Sequence, residues 1–307
     1  MDFKDEIMYS YDNNNKTYMK IKVGKQIYTI SGFSRAALRT CMMILETNTV
    51  FDMGYMDEQA FAYDNKLISH GHMDHCGSLH TDHSARKFAN IMKNKLYVMP
   101  QQCIIPYKMI ASAFSEMNCG KSGNNVKMIN NLVDTVLISS ETCDMIPLLH
   151  TGPYFVQAVE MDHGVKSFGY IVYMKSNRLK PEFVGLSGQE IKKKKEEFGK
   201  DSITYVHMEP MIAYTGDTTI LGVLQNEALL SVPLLIMECT GFDMDDIKTT
   251  SEGKHIHFSD IIKYHEKFMN ERIVLFHVSQ KYKKYNDIKL FIEMAPKSLL
   301  DKLLFFL

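Results

Sequence analysis

Three histidines and an aspartate fall within six positions of one short stretch, LISHGHMDHCGSL at 67–79. The stretch begins inside an apolar run that predicts a strand, and alternate residues after a strand can face the same way. His70 and His72 can therefore reach one ion, while Asp74 and His75 follow a turn and point to a neighbouring position. Neutral imidazoles and carboxylates are ligands that zinc prefers. The stretch predicts a metal site at a strand end, with room for a second ion.

Four residues leave two ions short of ligands, so further histidines or aspartates are expected at later strand ends. His163 ends the run YFVQAVEMDH, Asp217 follows IAYTG, and His277 follows IVLF. A single histidine at such a position is more often structural. Several separated residues at the same kind of position together predict a site at one edge of a sheet.

Short apolar runs predict many strands, and helical patterns lie between the later ones. The predicted strands are Met19–Ile30, Cys41–Leu45, Thr49–Asp52, Lys66–Ser69, Lys95–Val98, Tyr154–Glu160, Phe168–Met174, Met211–Tyr214, Leu234–Glu238 and Ile273–Phe276. Helices are predicted over Ser259–Met269 and from Asp287 to Phe306. Strands that come in pairs early and alternate with helices later favour a layered α/β sandwich.

Residues 176–210 interrupt this pattern with a charged segment that contains several glycines and prolines. The segment lies between two strand-like runs, so we interpret it as an arm inserted into a single domain of residues 1–307. An ordinary solvated loop with a helix is the alternative. Lys192, Lys193, Lys194 and Lys195 form the densest basic cluster within it.

Composition excludes some classes of protein. The formal net charge of −1 gives no global basic bias, so a polyanion partner would need a local patch. No stretch approaches the roughly 18 uncharged apolar residues of a membrane span. The acidic, polar N-terminus predicts no signal peptide, and six scattered cysteines favour reduced thiols. We therefore expect an intracellular protein, in the cytoplasm or, in a eukaryote, also the nucleus.

The ordered motifs HxHxDH, a later His, GD and a final His resemble those of the metallo-β-lactamase superfamily. SHGHMDHCGSL, TGDTT, MECTGF with a following HIH, and HVSQKY are similar to the ribonuclease Z family within it. GFSRAALRTC and FGYIVY with EFVGLSGQEI resemble its short plant-type branch. The resemblance covers roughly residues 28–285. It implies a four-layer αββα sandwich with a short inserted arm, and a zinc-dependent endoribonuclease that removes the 3′ trailer from precursor tRNA.

The resemblance also implies roles for individual residues. The first of two zinc ions per chain would be held by His70, His72 and His163, and the second by Asp74, His75 and His277, with Asp217 bridging. Asp74 would also accept the proton of the attacking hydroxide. His255 would protonate the leaving 3′-oxygen, and Glu238 would orient it. His257 is the alternative donor, since it lies only two residues away, but the spacing to the last ligand favours His255.

The arm would grip precursor tRNA, and family members of this type work as homodimers in which one subunit's arm serves the other's active site. Lys281 stands where the family often has arginine, which keeps the charge and loses the guanidinium fork. The candidate RNA-binding residues are Arg86, Lys192, Lys193, Lys194, Lys195 and Lys281. For each of them a solvated surface charge is the alternative.

Two competing functions remain open. The metal ligands alone also permit another hydrolase of this superfamily, such as a general phosphodiesterase or a thioesterase of the glyoxalase II type. His255, Glu238 and the HVSQKY motif argue against it. A protein without activity is the second alternative, either a metal-stabilised scaffold or an RNA-binding paralogue that has lost its chemistry. Such a protein would be expected to lack some of the ligands, and all seven expected positions are filled.

Overall fold

Two mixed β-sheets lie face to face at the centre of the molecule. The computed structural model describes residues 7–11, 16–88, 93–119, 135–142 and 144–307. In the first sheet, strands lie side by side in chain order, antiparallel up to β5 and parallel from β5 to β8. These strands are β1 (Ile7–Tyr11), β2 (Thr17–Val23), β3 (Gln26–Arg35), β4 (Arg39–Ile44), β5 (Thr49–Phe51), β6 (Asn65–Leu67), β7 (Lys95–Met99) and β8 (Thr135–Ser139).

The second sheet has the spatial order β15-β14-β13-β12-β11-β10-β9. Its strands are β9 (Ile146–Pro147), β10 (Tyr154–Met161), β11 (Ser167–Leu179), β12 (Thr204–Tyr214), β13 (Leu234–Glu238), β14 (Arg272–Phe276) and β15 (Leu303–Phe305). The pairs from β9 to β12 are antiparallel and those from β12 to β15 are parallel. The parallel strands of each sheet end at the same edge, and the candidate site lies there.

Helices connect the strands, and most of them cover the outer face of a sheet. They are α1 (Met73–Cys76), α2 (Leu79–Phe88), α3 (Gln101–Cys119), α4 (Gly188–Phe198), α5 (Lys200–Ile203), α6 (Ile220–Leu224), α7 (Glu227–Ser231), α8 (Ile247–Glu252), α9 (Phe258–Lys263), α10 (Tyr285–Ile292) and α11 (Lys297–Leu300), with short 3-10 turns at Glu58–Ala62, Pro181–Phe183, Met244–Asp246 and His265–Lys267. Within the described ranges, no helix is both long and apolar enough to cross a membrane.

Three apolar clusters separate these layers. The central cluster lies between the sheets, where the ring of Tyr214 stacks between Phe51 and Phe276 at centroid distances of 4.6 and 4.8 Å. A second cluster packs α6, α7, α9, α10 and α11 on one sheet, and a third packs α1 to α3 on the other. The four-layer αββα sandwich is thus confirmed.

Some predicted elements differ from those observed. Met19–Ile30 contains two strands instead of one, because Gly24 adopts a left-handed φ of 55° and turns the chain between β2 and β3. The predicted helix from Asp287 to Phe306 is wrong over its second half. Pro296 starts the separate helix α11, and the apolar residues that follow pair with β14 as β15.

The segment 176–210 is a hairpin whose two strands continue out of the second sheet. Residues 176–179 at the end of β11 pair with 204–207 at the start of β12. Between them lies α4, which begins with a capping box formed by Ser187 and Glu190. The predicted arm therefore includes strand residues at both ends, and α4 with α5 forms its tip.

Candidate active site

The ends of strands from both sheets bring the predicted ligands together. His70 lies just beyond β6, His163 beyond β10, Asp217 beyond β12 and His277 directly after β14. His72, Asp74 and His75 come from the loop and short helix α1 that follow β6. Four of the seven predicted ligands, His72, Asp74, Asp217 and His277, line one cavity of about 310 Å³ together with His255.

The first group of donors consists of His70, His72, His163 and Asp217, whose ligand atoms lie within 4.8 Å of one another. Nε2 of His70 lies 3.0 Å from Nδ1 of His72. Nε2 of His163 lies 3.4 Å from the same Nδ1 atom. Nitrogens that share a tetrahedral zinc at about 2.0–2.1 Å lie about 3.3 Å apart. The observed spacing fits that arrangement.

The second group consists of Asp74, His75 and His277. Nε2 of His75 lies 3.2 Å from Nε2 of His277, and each of these atoms lies 3.4 Å from Oδ2 of Asp74. Oδ2 of Asp217 lies close to three Nε2 atoms, at 3.2 Å from that of His75, 3.4 Å from that of His277 and 3.7 Å from that of His70. Asp217 therefore faces both groups, as a bridging ligand would.

Four of the predicted histidine ligands, His70, His75, His163 and His277, have a hydrogen-bond partner at Nδ1, so that Nε2 faces the centre of the candidate metal site. Nδ1 of His75 lies 2.7 Å from Asp52, and that of His70 lies 3.0 Å from the hydroxyl of Ser69. Asp52 also accepts hydrogen bonds from the backbone and the hydroxyl of Ser69. This buried carboxylate thus orients a histidine in each group, directly or through Ser69. Such partners fix the tautomer of metal-binding histidines.

The other two imidazoles have partners of different kinds. Nδ1 of His163 lies 3.2 Å from the carbonyl oxygen of Lys254, a residue with a left-handed φ of 54°. Nδ1 of His277 lies 3.1 Å from the hydroxyl of Thr240, and His277 itself has a φ of 61°. Left-handed φ values are costly for residues with side chains and are typical of functional sites.

The protonation states match those of a metal site. Burial raises the pKa of Asp217, but nearby His277, His75 and His70 outweigh it and hold the pKa well below its usual range. Asp74 is kept ionised in the same way by hydrogen bonds from His277 and His75, which lower its pKa. Burial lowers the pKa of His70 and of His163, so both are neutral donors at pH 7.

His75 differs from the other imidazoles, because carboxylates flank it. Burial lowers its pKa, but Asp217 and Asp52 outweigh that effect and raise it well above the usual value. The same negative potential that holds a proton on His75 favours a cation in its place. Oδ1 of Asp217 is also buried and has no hydrogen-bond partner within the described ranges. Both observations fit a site built for divalent cations.

His255 and Glu238 form a pair beside these groups. Nδ1 of His255 lies 2.9 Å from Oε1 of Glu238, which is fully buried at the end of β13. Burial lowers the pKa of His255, but the charge and hydrogen bond of Glu238 raise it to about 9. His257 is instead the N-cap of α9 and bonds to the carbonyl oxygen of Asp243. The structure therefore places His255, and not His257, against Glu238.

The candidate RNA-binding residues lie on separate elements of the structure. Lys192, Lys193, Lys194 and Lys195 lie on α4, where Nζ of Lys194 lies 4.9 Å from the ring centroid of Phe198. Arg86 belongs to α2, and its side chain lies outside the described part of the chain.

Lys281 is already paired with carboxylates. Its Nζ lies 3.0 Å from Asp246 and 3.3 Å from Asp243. The hydroxyl of the next residue, Tyr282, bonds to Asp246 and accepts a hydrogen bond from the backbone N–H of Asp243. The two residues thus hold the turn after β13 in place.

Asp52, Ser69, Lys254 and Thr240 were not predicted from the sequence. Asp52 follows the apolar run TVF, which is the signal that identified His163 and His277, so this residue was detectable. Lys254 acts through its backbone carbonyl, for which the residue type gives no signal. Ser69 and Thr240 are common residue types whose role depends on distant partners.

Solved structures show the same fold. YhfI of Bacillus subtilis, described as a metallo-β-lactamase fold protein, superposes with a TM-score of 0.51 over 89% of this chain and 92% of that chain, at 11% identity. A long-form RNase Z from yeast gives a TM-score of 0.50 over 96% of this chain and 38% of its own, at 14% identity. These two structures show that the chain has the metallo-β-lactamase fold, and the site described above contains two groups of residues that could hold divalent metal ions.

Similarity in sequence identifies the family. tRNase Z TRZ1 of Arabidopsis thaliana is 33% identical over 270 residues, which are 86% of this chain and 90% of the relative. The chloroplastic tRNase Z TRZ2 of the same plant is 28% identical over 260 residues, 83% of this chain and 68% of its own. No protein-family model matches the chain. The identity to TRZ1 shows that the chain belongs to the tRNase Z family.

Proposed function

We propose that the protein removes the 3′ trailer from precursor tRNA with two zinc ions per chain, leaving a 3′-hydroxyl on the tRNA. Its family is that of endoribonucleases that process tRNA 3′ ends, and the proposal assigns the chemistry to residues of this chain. The observation that carries it is the His255–Glu238 pair, 2.9 Å apart, beside two groups of potential metal ligands that Asp217 faces on both sides. An intracellular location belongs to the same proposal.

The two donor groups would hold the cations, with His70, His72 and His163 on one side and Asp74, His75 and His277 on the other. Bound zinc would lower the pKa of water and offset the charge that develops on the phosphodiester. Asp217 has one carboxylate oxygen between the groups and would keep their spacing fixed.

Two residues of the chain would move protons. Asp74 is ionised and lines the cavity, so it would accept a proton from the water that attacks phosphorus. As the bond from phosphorus to the 3′-oxygen of the tRNA breaks, that oxygen needs a proton. His255 holds Nδ1 against Glu238 and would donate from Nε2. The products are a tRNA 3′-hydroxyl and a trailer with a 5′-phosphate.

The arm would bind the tRNA outside the cavity. Its helix α4 carries Lys192, Lys193 and Lys195 on exposed positions, and two paired strands hold it away from the sheet. Duplex RNA presents mainly shape and phosphate charge to a protein. An exposed basic helix on a two-stranded stalk suits that kind of contact.

A homodimer belongs to the same proposal. Helix α3 carries an exposed apolar row at four-residue spacing, with Ile105 65%, Met109 59% and Met117 75% exposed. Apolar rows of this kind are commonly covered by a partner. Met109→Glu is expected to shift the mass measured by light scattering from two chains to one. An unchanged mass would exclude this row from the interface.

A comparison of substrates tests the function. Purified protein loaded with zinc should cleave a 3′-extended tRNA, with weaker activity on bis-p-nitrophenyl phosphate and none on S-lactoylglutathione. Asp217→Asn serves as the inactive control for traces of other nucleases. Turnover of the thioester alone would contradict the proposal and favour a hydrolase of the glyoxalase II type.

A further inference from the structure

The hydroxyl of Thr240 lies between the proton donor pair and a metal ligand. Its Oγ1 atom is 2.9 Å from Oε2 of Glu238 and 3.1 Å from Nδ1 of His277. The carbonyl oxygen of His277 is a second possible acceptor, at 3.2 Å. Oε1, the other carboxylate oxygen of Glu238, lies 2.9 Å from Nδ1 of His255. One short chain of contacts thus joins His277 to His255.

The hydrogens in this chain can be assigned from the chemistry of each group. A carboxylate only accepts, so the Thr240 hydroxyl donates its single hydrogen to Glu238, its closer and charged acceptor. The oxygen then accepts from Nδ1–H of His277, which leaves Nε2 of that ring as a lone pair facing the centre. Glu238 accepts in the same way from Nδ1–H of His255. Each imidazole is therefore held in the tautomer that its task requires.

The backbone keeps Thr240 in this position. Its N–H donates to the carbonyl oxygen of Ile256 at 2.9 Å, and its carbonyl oxygen accepts from Ser279 at 3.1 Å. One of these partners is next to His255 and the other is two residues from His277. Thr240 is thus fixed between the two segments whose histidines it connects.

We propose that Thr240 is a positioning residue that couples the metal ligand His277 to the proton donor His255 through Glu238. The inference rests on the proposed function and adds a residue that neither binds the metal nor touches the reacting atoms. It predicts that one hydroxyl supports both metal affinity at the second donor group and the rate of cleavage.

Two variants separate the hydroxyl from the shape of the side chain. Thr240→Val keeps the shape and removes the hydrogen bonds, whereas Thr240→Ser keeps the hydroxyl. Thr249→Val, on the surface helix α8, is the matched control. Zinc affinity is measured by competition with a chromogenic chelator, and kcat and KM are measured with a 3′-extended tRNA. Circular dichroism confirms that each full-length variant is folded.

We expect Thr240→Val to weaken the zinc site that contains His277 about tenfold to hundredfold, as loss of a partner to a ligating histidine typically does. The other zinc site should keep its affinity. Loss of the hydrogen bond to a charged group should reduce kcat about tenfold to hundredfold with KM within about twofold. Thr240→Ser should stay within about threefold of wild type in both measurements. The control should match wild type.

Three results would overturn the inference. The first is wild-type zinc affinity and kcat in Thr240→Val. The second is equal damage by valine and serine, since the methyl contact would then be what matters. The third is a rise in KM alone, which would make Thr240 an RNA contact. If the wild-type protein does not cleave tRNA, the proposed function fails, and the zinc competition still decides the role of Thr240.

Discussion

Replacing His255 with alanine separates a proton donor from a metal ligand. The His255 imidazole lies close to the proposed metal ligands, since its Nδ1 atom is 3.9 Å from Oδ2 of Asp217. Its shorter contact is the 2.9 Å hydrogen bond from Nδ1 to Glu238. A general acid typically contributes about 10²–10⁴-fold to a rate, which corresponds to roughly 3–5 kcal/mol. We therefore expect His255→Ala to lower kcat by that factor while zinc content stays at two per chain.

A substrate with sulfur in place of the leaving 3′-oxygen makes this test specific. A thiol has a pKa of about 8.5 and leaves readily as the thiolate, so it needs little help from an acid. The penalty of His255→Ala should then shrink to about fivefold or less, measured as the single-turnover rate ratio of wild type to variant. His265→Ala, which removes an imidazole outside the site, is the control.

Two results would refute the assignment of His255. An equal penalty on the oxygen and sulfur substrates would show that His255 does not protonate the leaving group. A loss of zinc in proportion to the loss of rate would make it a ligand. Either result would mean that Glu238 does not orient His255 for proton donation.

Three further predictions concern the arm, Lys281 and a buried lysine. Replacing Pro181–Lys200 with a short glycine linker should raise KM for precursor tRNA at least tenfold and leave hydrolysis of bis-p-nitrophenyl phosphate within about twofold; an equal loss on both would make the arm part of the core. Because Lys281 is paired with Asp246 and Asp243, Lys281→Gln should leave the slope of log affinity against log salt unchanged in a filter-binding titration, whereas a phosphate ligand would reduce that slope by about one. Burial lowers the pKa of Lys66 to about 8, so the unfolded chain binds more protons between pH 8 and 10.5 and stability should rise across that window by up to about 3 kcal/mol. Urea unfolding should show a smaller rise in Lys66→Met than in wild type or the exposed-site control Lys20→Met, and identical pH slopes would contradict the prediction.

Four of the residues proposed as metal ligands were predictable from one physical rule. His70, His163, Asp217 and His277 lie where apolar runs end, and strands of a sheet can present such ends at one edge. The same rule points to Asp52, at the end of β5. Thr240 and the partners of Lys281 follow no such rule. Asp246 lies 35 residues before Lys281, and only the folded chain brings them together.

The errors in the predicted strand bounds also have local causes. The strands at the base of the arm alternate little in hydrophobicity, because both of their faces are largely exposed beyond the sheet. The last strand, β15, is three residues long and was merged with the helical pattern before it. Periodicity needs several residues on a buried face, and neither segment has them.

Mapping the ends of the cleavage products shows whether the protein cuts precursor tRNA by the proposed chemistry. Zinc-loaded protein is incubated with a precursor tRNA that carries a 3′ trailer, and both products are sequenced to the nucleotide with their terminal groups identified. We expect one cut at the 3′ end of the mature tRNA, a 3′-hydroxyl on the tRNA and a 5′-phosphate on the trailer. Scattered cuts, or a 2′,3′-cyclic phosphate on the tRNA, would contradict attack by water with protonation of the 3′-oxygen.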